Sequence, residues 1–402
     1  MSNIDVPLPA TECIEELKIG IRKKWQDLPS EIILKILSYS EVKDRISCGQ
    51  VSKRTRSISH ERSLWVTANL EKKIVKTELL EMILSKGCKI LNLSNSTIIG
   101  RLGSTIKSQL RVLDLSQSGW GFPAREWPAQ VYYEENIEVL EELLFSSCSL
   151  QHLIMEGLEV TFKMTVSICK NGKSLKVLNL NHSFVDNTFD NFGDIVPNAD
   201  TEAIINCCQE LKKLDLTGPN TDFQAIIKCC QELKELSLND INEKEGLSDK
   251  NLKFLAKNIT PNVEKLNLSN QNVKDDHVKI LLHRCKKIKV LFLEATFVTN
   301  DSFKNIAQYL NLTLEELTLA YYGRKPFTCF LELKFMQRLK ILNVFDYTEE
   351  GKEIQNLRQH LPHLMIKTFL DCKIGKTLQE NTPKVPNKRS ERLRFFLKYL
   401  KD

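Results

Sequence analysis

The chain has 402 residues, of which 42% are hydrophobic, so it can bury a large core. No run of about 18 apolar residues could span a bilayer and no basic, apolar leader opens the sequence, so we expect a soluble intracellular protein that binds no membrane. Twelve cysteines are too dilute for a disulfide scaffold, and the net charge of +6 is concentrated in residues 373–402, which argues against an evenly basic nucleic-acid surface.

A small helical module is predicted at residues 25–70, after an N-terminal extension at residues 1–24. Pro29, followed by Ser30 and Glu31, marks a helix start. The residues that follow form an apolar stripe at helical spacing: Ile32, Ile33, Ile36 and Leu37. Because about 45 residues make a small core, we expect a partner helix or the following repeats to cover this module.

Residues 71–371 repeat the pattern Leu-x-x-Leu-x-Leu, which is typical of leucine-rich repeats (LRRs). The second apolar position falls at Leu91, Leu113, Leu153, Leu178, Leu214, Leu236, Leu266, Leu291, Leu317, Leu342 and Leu364. Each Leu-x-Leu predicts a short strand, and the residues between strands change to helical spacing, as at Val278, Leu281 and Leu282. We therefore predict an α/β solenoid with a parallel sheet on the concave face and helices on the convex face.

Two positions recur within the repeats. Cysteines stand where helix turns into strand, a corner that suits a small, nearly apolar side chain: Cys148, Cys208, Cys230 and Cys285. Zinc binding is the alternative, but adjacent cysteine pairs lack the Cys-x-x-Cys spacing of zinc sites. The turn five residues after the second leucine holds side chains that we expect to bond the backbone of adjacent repeats: Ser96, Ser118, Ser183, Gln271 and Thr296.

Insertions lengthen two of the repeats, at residues 119–136 and 186–202, and such insertions map to loops. The first is rich in aromatic residues, which either anchor a partner or pack on the flank of the solenoid.

A cluster of apolar and aromatic residues is predicted on the solvent-facing side of the last strands, where the other positions are small and polar. We predict a substrate-binding hot spot there, formed by Val290, Phe292, Tyr321, Tyr322 and Phe345. The alternative is that the basic C-terminal tail, residues 372–402, returns to cover these side chains. Its apolar residues Leu393, Phe396, Leu397 and Leu400 share one helical face.

No motif for nucleotide binding, metal-dependent hydrolysis or serine nucleophiles occurs in the sequence. His360 with His363, and His283 with Cys285, are interpreted as structural rather than as metal ligands. We therefore expect no catalytic residues, no cofactor and no metal.

The segment from Trp25 to Leu70 resembles the F-box family in its Leu28-Pro29 pair, its Val51-Ser52-Lys53-Arg54 segment and its Leu64-Trp65 pair. Two positions depart, since Cys is commoner than Ser52 and Trp commoner than Thr55. The resemblance implies insertion into a Skp-type adaptor, which in turn holds a cullin and a RING protein. The adaptor contacts it implies are Leu28, Pro29, Ile32, Ile36, Leu37 and Val51.

An F-box directly before LRRs is similar to the F-box/LRR substrate receptors of cullin ubiquitin ligases. That resemblance implies a non-catalytic receptor for a protein substrate, phosphorylated or unmodified, with a role in the cell cycle in nucleus and cytoplasm. It also allows a small accessory protein as a partner. Two alternatives stay open: an F-box/LRR scaffold without a ubiquitination role, and a ribonuclease-inhibitor-like LRR protein with residues 25–70 as a cap. An outward apolar stripe on Ile32 and Ile36 disfavours a pure cap, which should present a polar outer face.

Overall fold

The computed structural model describes residues 28–103, 108–118, 129–158, 160–181, 201–216, 227, 229–238, 247–320, 329–344 and 352–368. The chain divides into two compact units, residues 1–153 and 154–402. The first unit opens with a helical module and continues into parallel strands, and the second alternates parallel strands with helices. The predicted α/β fold, with a small helical module followed by leucine-rich repeats, is confirmed.

The helical module consists of three α-helices and a 3-10 helix: α1 (Ser30–Ser38), α2 (Val42–Val51), α3 (Lys53–Ser59) and Arg62–Trp65. Its core is formed by Ile33, Leu37, Val42, Ile58, Leu64 and Trp65, none more than 6% exposed. A capping box begins α3, because Ser52 N donates to Thr55 Oγ1 at 3.1 Å and Thr55 N donates to Ser52 Oγ at 3.1 Å. The two residues that depart from the family pattern thus fix the start of this helix.

Short parallel strands follow in the first unit. The elements are β1 (Thr67–Asn69), β2 (Ile74–Lys76), α4 (Thr77–Ser85), β3 (Ile90–Asn92), β4 (Thr97–Ile99), β5 (Val112–Asp114), α5 (Ala129–Ser146) and β6 (His152–Ile154), which ends at the boundary of the unit. Strand β3 pairs with β1 and β5, while β2 and β4 form a separate two-stranded sheet. Strand β1 lies before residue 70, inside the segment predicted as the helical module.

Part of the first predicted insertion is helical rather than loop. Residues 129–136 belong to α5, and the buried Asn136 accepts a hydrogen bond from Ile98 N at 2.7 Å. The loop prediction was wrong for these residues because the insertion ends in a helix that closes the edge of β4.

The second unit continues the alternation. Its elements are α6 (Phe162–Asn171), β7 (Val177–Leu180), α7 (Thr201–Cys207), β8 (Lys213–Leu216), β9 (Glu235–Ser237), α8 (Asp249–Asn258), β10 (Lys265–Asn267), α9 (Asp275–Arg284), β11 (Val290–Glu294), α10 (Asn300–Leu310), β12 (Glu316–Ala320), a 3-10 helix (Phe330–Phe335), β13 (Ile341–Val344), α11 (Lys352–His360) and β14 (Met365–Thr368). From β7 to β13 the second leucines lie opposite one another in register.

The last strand departs from the predicted register by two residues. Leu342 lies opposite Ile366, so Leu364 does not occupy the strand position predicted for it. Leu361 and Leu364 have the spacing of the repeat, but both precede the strand and are buried there.

A shared turn ends the strands. The side-chain oxygens of Asn92, Asp114, Asn179 and Asn267 accept hydrogen bonds from the backbone N two residues later, at 2.8 to 3.0 Å. Four residues after the second leucine, the backbone adopts a left-handed conformation at Asn95, Gln117, Gly157, Asn270 and Ala295.

The predicted turn side chains bond backbone carbonyls. Ser96 Oγ donates to Leu70 O and Ser118 Oγ to Leu93 O, both at 2.6 Å, and Gln271 Nε2 donates to Leu238 O at 3.0 Å. These three bonds join adjacent repeats, as predicted. Thr296 bonds Leu293 O of its own repeat, and Ser183 lies outside the described residues.

Three of the four predicted corner cysteines are buried: Cys208, Cys230 and Cys285. Cys285 Sγ donates to Thr260 O of the preceding repeat at 3.6 Å, and burial raises the pKa of this thiol to about 11. Cys148 lies between α5 and β6, at the predicted corner, but it is exposed rather than buried. It stands five residues before its strand leucine, whereas the buried three stand six before theirs.

Candidate functional site

An apolar face of α1 is exposed to solvent. Ile32 is 45% exposed and Ile36 43% exposed, one helical turn apart. Ile33 and Leu37, predicted in the same stripe, turn inward and are 1% and 4% exposed. The helix therefore separates the stripe into a pair that holds the module together and a pair available to a partner.

The predicted adaptor contacts divide in the same way. Pro29, Ile32, Ile36 and Val51 are exposed and Leu28 is half-buried, whereas Leu37 lies in the core. Tyr39, 79% exposed, follows Ile36 by three residues and extends its face. The helical pattern that marked Ile32 and Ile36 ended before Tyr39, so sequence reasoning missed it.

Arg54 fixes the start of this face. Its Nη2 donates to Leu28 O and lies 3.4 Å from Ser30 Oγ, so the guanidinium of α3 holds the segment that leads into α1. The position of Leu28 and Pro29 thus depends on a residue of the Val51-to-Arg54 segment that the F-box resemblance singled out.

Arg45 is a second organising residue and had no sequence signal of its own. Its side chain, only 8% exposed, donates to main-chain carbonyls of Leu37, Ser38, Ser40, Leu64 and Thr67. Burial lowers the pKa of its guanidinium. These bonds tie the end of α1 to the 3-10 helix and to β1, and so connect the exposed face to the first strand.

The candidate substrate surface lies on β11. Val290 and Phe292 are half-buried and alternate with the fully buried Leu291 and Leu293, so they face away from the repeat core. Phe292 lies between Asn267 and Thr318 in register, and Lys265 Nζ is 5.7 Å from the centroid of its ring. Phe292 therefore places an aromatic ring with a nearby cation between the polar residues Asn267 and Thr318.

Strand β13, which pairs with β12, adds an acceptor. Asn343 is 7% exposed and its Nδ2 donates to Thr318 Oγ1 at 2.8 Å, while its Oδ1 has no hydrogen-bond partner among the described residues. Tyr321, Tyr322 and Phe345, which complete the predicted hot spot, lie outside the described residues, as do most of the aromatic insertion and the tail.

Within the described part of the chain, no group of three or more His, Cys, Asp or Glu side chains could hold a metal ion. His283 packs at 5.1 Å from the ring of Tyr309, and His360 Nδ1 lies 2.8 Å from Asn356 O. No helix among those described is long and apolar enough to cross a membrane.

Comparison with protein families identifies one domain. Residues 25–71 match the family model described as F-box-like. The chain therefore contains an F-box-like domain, and it coincides with the module that exposes Ile32 and Ile36.

Several solved structures resemble this chain in fold, but their sequence identity to it is low. The yeast complex of Rad7 and Elc1 contains a chain with 16% identity and a TM-score of 0.49, matched over 90% of this chain and 93% of that one. Leiomodin-1 actin-binding site 2 shows 18% identity and a TM-score of 0.29, over 39% of this chain and 92% of that one. The tropomodulin C-terminal domain of Caenorhabditis elegans shows 14% identity and a TM-score of 0.30, over 40% and 100%.

Proposed function

We propose that this protein is a substrate receptor of a Skp-cullin-F-box ubiquitin ligase. The observation that carries the proposal is the apolar face of Ile32 and Ile36, which is exposed on a domain that matches the F-box-like family. Burial of this face against a Skp-type adaptor would remove apolar surface from water, and the adaptor would link the chain to cullin and RING subunits.

The substrate surface belongs to the same proposal. The half-buried Val290 and Phe292 face solvent on β11 and are suited to a protein ligand, phosphorylated or not, with or without a small accessory protein. The receptor needs no catalytic residue, because it acts by raising the effective concentration of a substrate lysine near the conjugating enzyme.

The finer assignment rests on resemblance. Segments such as residues 63–87 and 342–366 are similar to the S-phase kinase-associated F-box protein, which suggests cell-cycle substrates and a location in nucleus and cytoplasm. A scaffold that binds the adaptor without a ubiquitination role, or an LRR inhibitor, is the competing function.

Adaptor binding is tested by substituting Ile32→Asp together with Ile36→Asp and measuring capture of a purified Skp-type adaptor. We expect binding to fall at least about a hundredfold, because two charges would enter an apolar interface. Leu312→Asp with Met365→Asp is the matched control, since these apolar residues are 72% and 55% exposed elsewhere in the chain.

Unchanged adaptor capture by the Ile32 and Ile36 variant, with its circular dichroism intact, would contradict the proposal. Recovery of cullin and RING subunits with the wild-type chain from cells separates a ligase receptor from an adaptor-bound scaffold. Phe292→Ala should leave adaptor capture unchanged and reduce recovery of substrate.

A further inference from the structure

Three consecutive helix-to-strand connections lie side by side in the second unit: residues 285–289, 311–315 and 336–340. Glu315 N donates to Lys289 O at 2.7 Å and Lys340 N donates to Glu315 O at 2.8 Å. Thr313 Oγ1 also donates to Lys286 O at 3.3 Å. These bonds hold the three connections together as one edge of the repeats.

The first and third of these connections are basic. Their cations are all exposed: Lys286, Lys287, Lys289, Arg338 and Lys340. We call these five residues, with Leu312 and Phe335, the basic edge.

Two carboxylates lie beside these cations, and each is less exposed than the lysine with which it pairs. Glu315 pairs with Lys340 at 2.6 Å, with side chains 34% and 66% exposed, and Glu264 pairs with Lys289 at 2.6 Å, with 32% and 49%. Five cations against two carboxylates leave a formal charge of +3. The edge therefore presents a positive potential to solvent.

Two large, exposed apolar side chains lie among these charged residues. Leu312, 72% exposed, stands in the middle connection, flanked by the two basic ones. Phe335, 68% exposed, ends the 3-10 helix before the third connection, and Lys334 Nζ lies 4.9 Å from its ring centroid. Exposed apolar residues that are rimmed by polar and charged side chains are typical of a protein-binding surface.

We propose that the basic edge binds an acidic linear segment of a partner protein that carries an apolar side chain among its carboxylates. The carboxylates would pair with Lys287 and Arg338, and the apolar side chain would cover Leu312 or Phe335. The chain's own residues 373–402 are the wrong occupant by charge, because they hold nine Lys or Arg against three Asp or Glu. The basic edge shares no residue with the proposed adaptor face or with Val290 and Phe292, so this proposal does not depend on the proposed receptor function.

The test uses a fluorescein-labelled peptide of about 12 residues in which Glu-Glu pairs alternate with Leu-Phe pairs, and measures fluorescence anisotropy on the full chain. We expect saturable binding that weakens as salt rises from about 50 mM to about 300 mM. Lys287→Glu with Arg338→Glu should weaken it roughly tenfold or more, and Leu312→Ser with Phe335→Ser by a similar factor. Lys250→Glu with Lys279→Glu, which reverses two exposed cations on helices α8 and α9, is the matched control and should bind normally.

Three results would overturn the proposal. The first is equal peptide binding by all folded variants, and the second is equal binding of a peptide in which lysine replaces glutamate. The third is binding of vesicles containing phosphatidylserine, sensitive to the same substitutions, without binding of the acidic peptide, which would assign the edge to a membrane surface.

Discussion

At the level of single residues, Arg45 shows how a buried cation can organise a small domain. The F-box module is short, and its own apolar core is limited to a few side chains. The guanidinium of Arg45 adds bonds to carbonyls of α1, the 3-10 helix and β1. The end of α1 is the negative end of the helix dipole, so a cation is favoured there by charge as well as by hydrogen bonding.

Substitution Arg45→Met should destabilise the protein by about 3 kcal/mol, because several buried carbonyls lose their donor while the apolar stem is kept. The free energy of unfolding of the F-box region is measured by urea denaturation, followed by the fluorescence of Trp65. Lys43→Met, at an exposed position of the same helix, should change it little. Equal stability of the two variants would show that the Arg45 bonds contribute nothing net.

No sequence pattern pointed to Arg45, and the reason is physical. Its role depends on carbonyls that residues 37–40, 64 and 67 bring together only after folding. Ile32 and Ile36 were predictable, because apolar residues at helical spacing carry their own signal. That signal could not show which half of the stripe faces inward, and so Leu37 was predicted as a contact.

At the level of elements, His277 joins the starts of two helices. Lys274 N donates to His277 Nδ1 at 3.0 Å at the start of α9, and His277 Nε2 lies 3.1 Å from Asp249 Oδ1, the first residue of α8. Because Nδ1 accepts a backbone hydrogen bond, the ring is neutral and carries its proton on Nε2. Desolvation lowers the pKa of His277 below its ordinary value of 6.5, although the charge of Asp249 opposes this.

Stability should therefore fall as the solution is acidified below pH 6.5. The folded pKa lies below the unfolded one, so the unfolded chain binds the proton first, and the contribution of the neutral ring is complete only above the unfolded pKa. Urea denaturation between pH about 8 and about 5 measures this slope. His277→Gln should flatten it, and His283→Gln, on an exposed residue, should not.

The repeat elements themselves were largely predictable. The second leucines of β7 to β13 stand in register because each strand uses the same short pattern, and α9 buries Val278, Leu281 and Leu282, the apolar residues that marked it. The predicted register was wrong at β14, because Leu361 and Leu364, which precede the strand, have the spacing of the leucine repeat. Local spacing cannot tell a buried corner from a strand when both are apolar.

At the scale of the whole molecule, the rate at which buried thiols are alkylated should report how often the surrounding repeats open. Cys88, Cys230 and Cys285 are at most 1% exposed, and burial raises the pKa of Cys88 and Cys230 to about 12. Their alkylation near pH 8 should therefore require opening of the surrounding repeat, since the thiolate is the reactive form.

Iodoacetamide labelling of the native chain, followed by peptide mass spectrometry, should modify the exposed Cys148 at least about a hundredfold faster than these three cysteines. Repeats contact mainly their neighbours, so we expect Cys88 and Cys285 to differ from each other in rate. If Cys88 and Cys285 react at the same rate, and this rate equals that of global unfolding, the repeats open only together. Labelling of either at the rate of Cys148 would contradict the described burial.

The turns that end the strands also limit where a new binding specificity can arise. Asn92, Asp114 and Asn267 directly follow the second leucine of their strands, and each uses its side-chain oxygen to close its own strand after three residues. Strands β11 and β12 carry Phe292 and Thr318 at that position and run for five residues. Substitution of Phe292 should therefore disturb the fold less than substitution of these turn residues, so β11 is the strand on which a new binding specificity could arise at the lower structural cost.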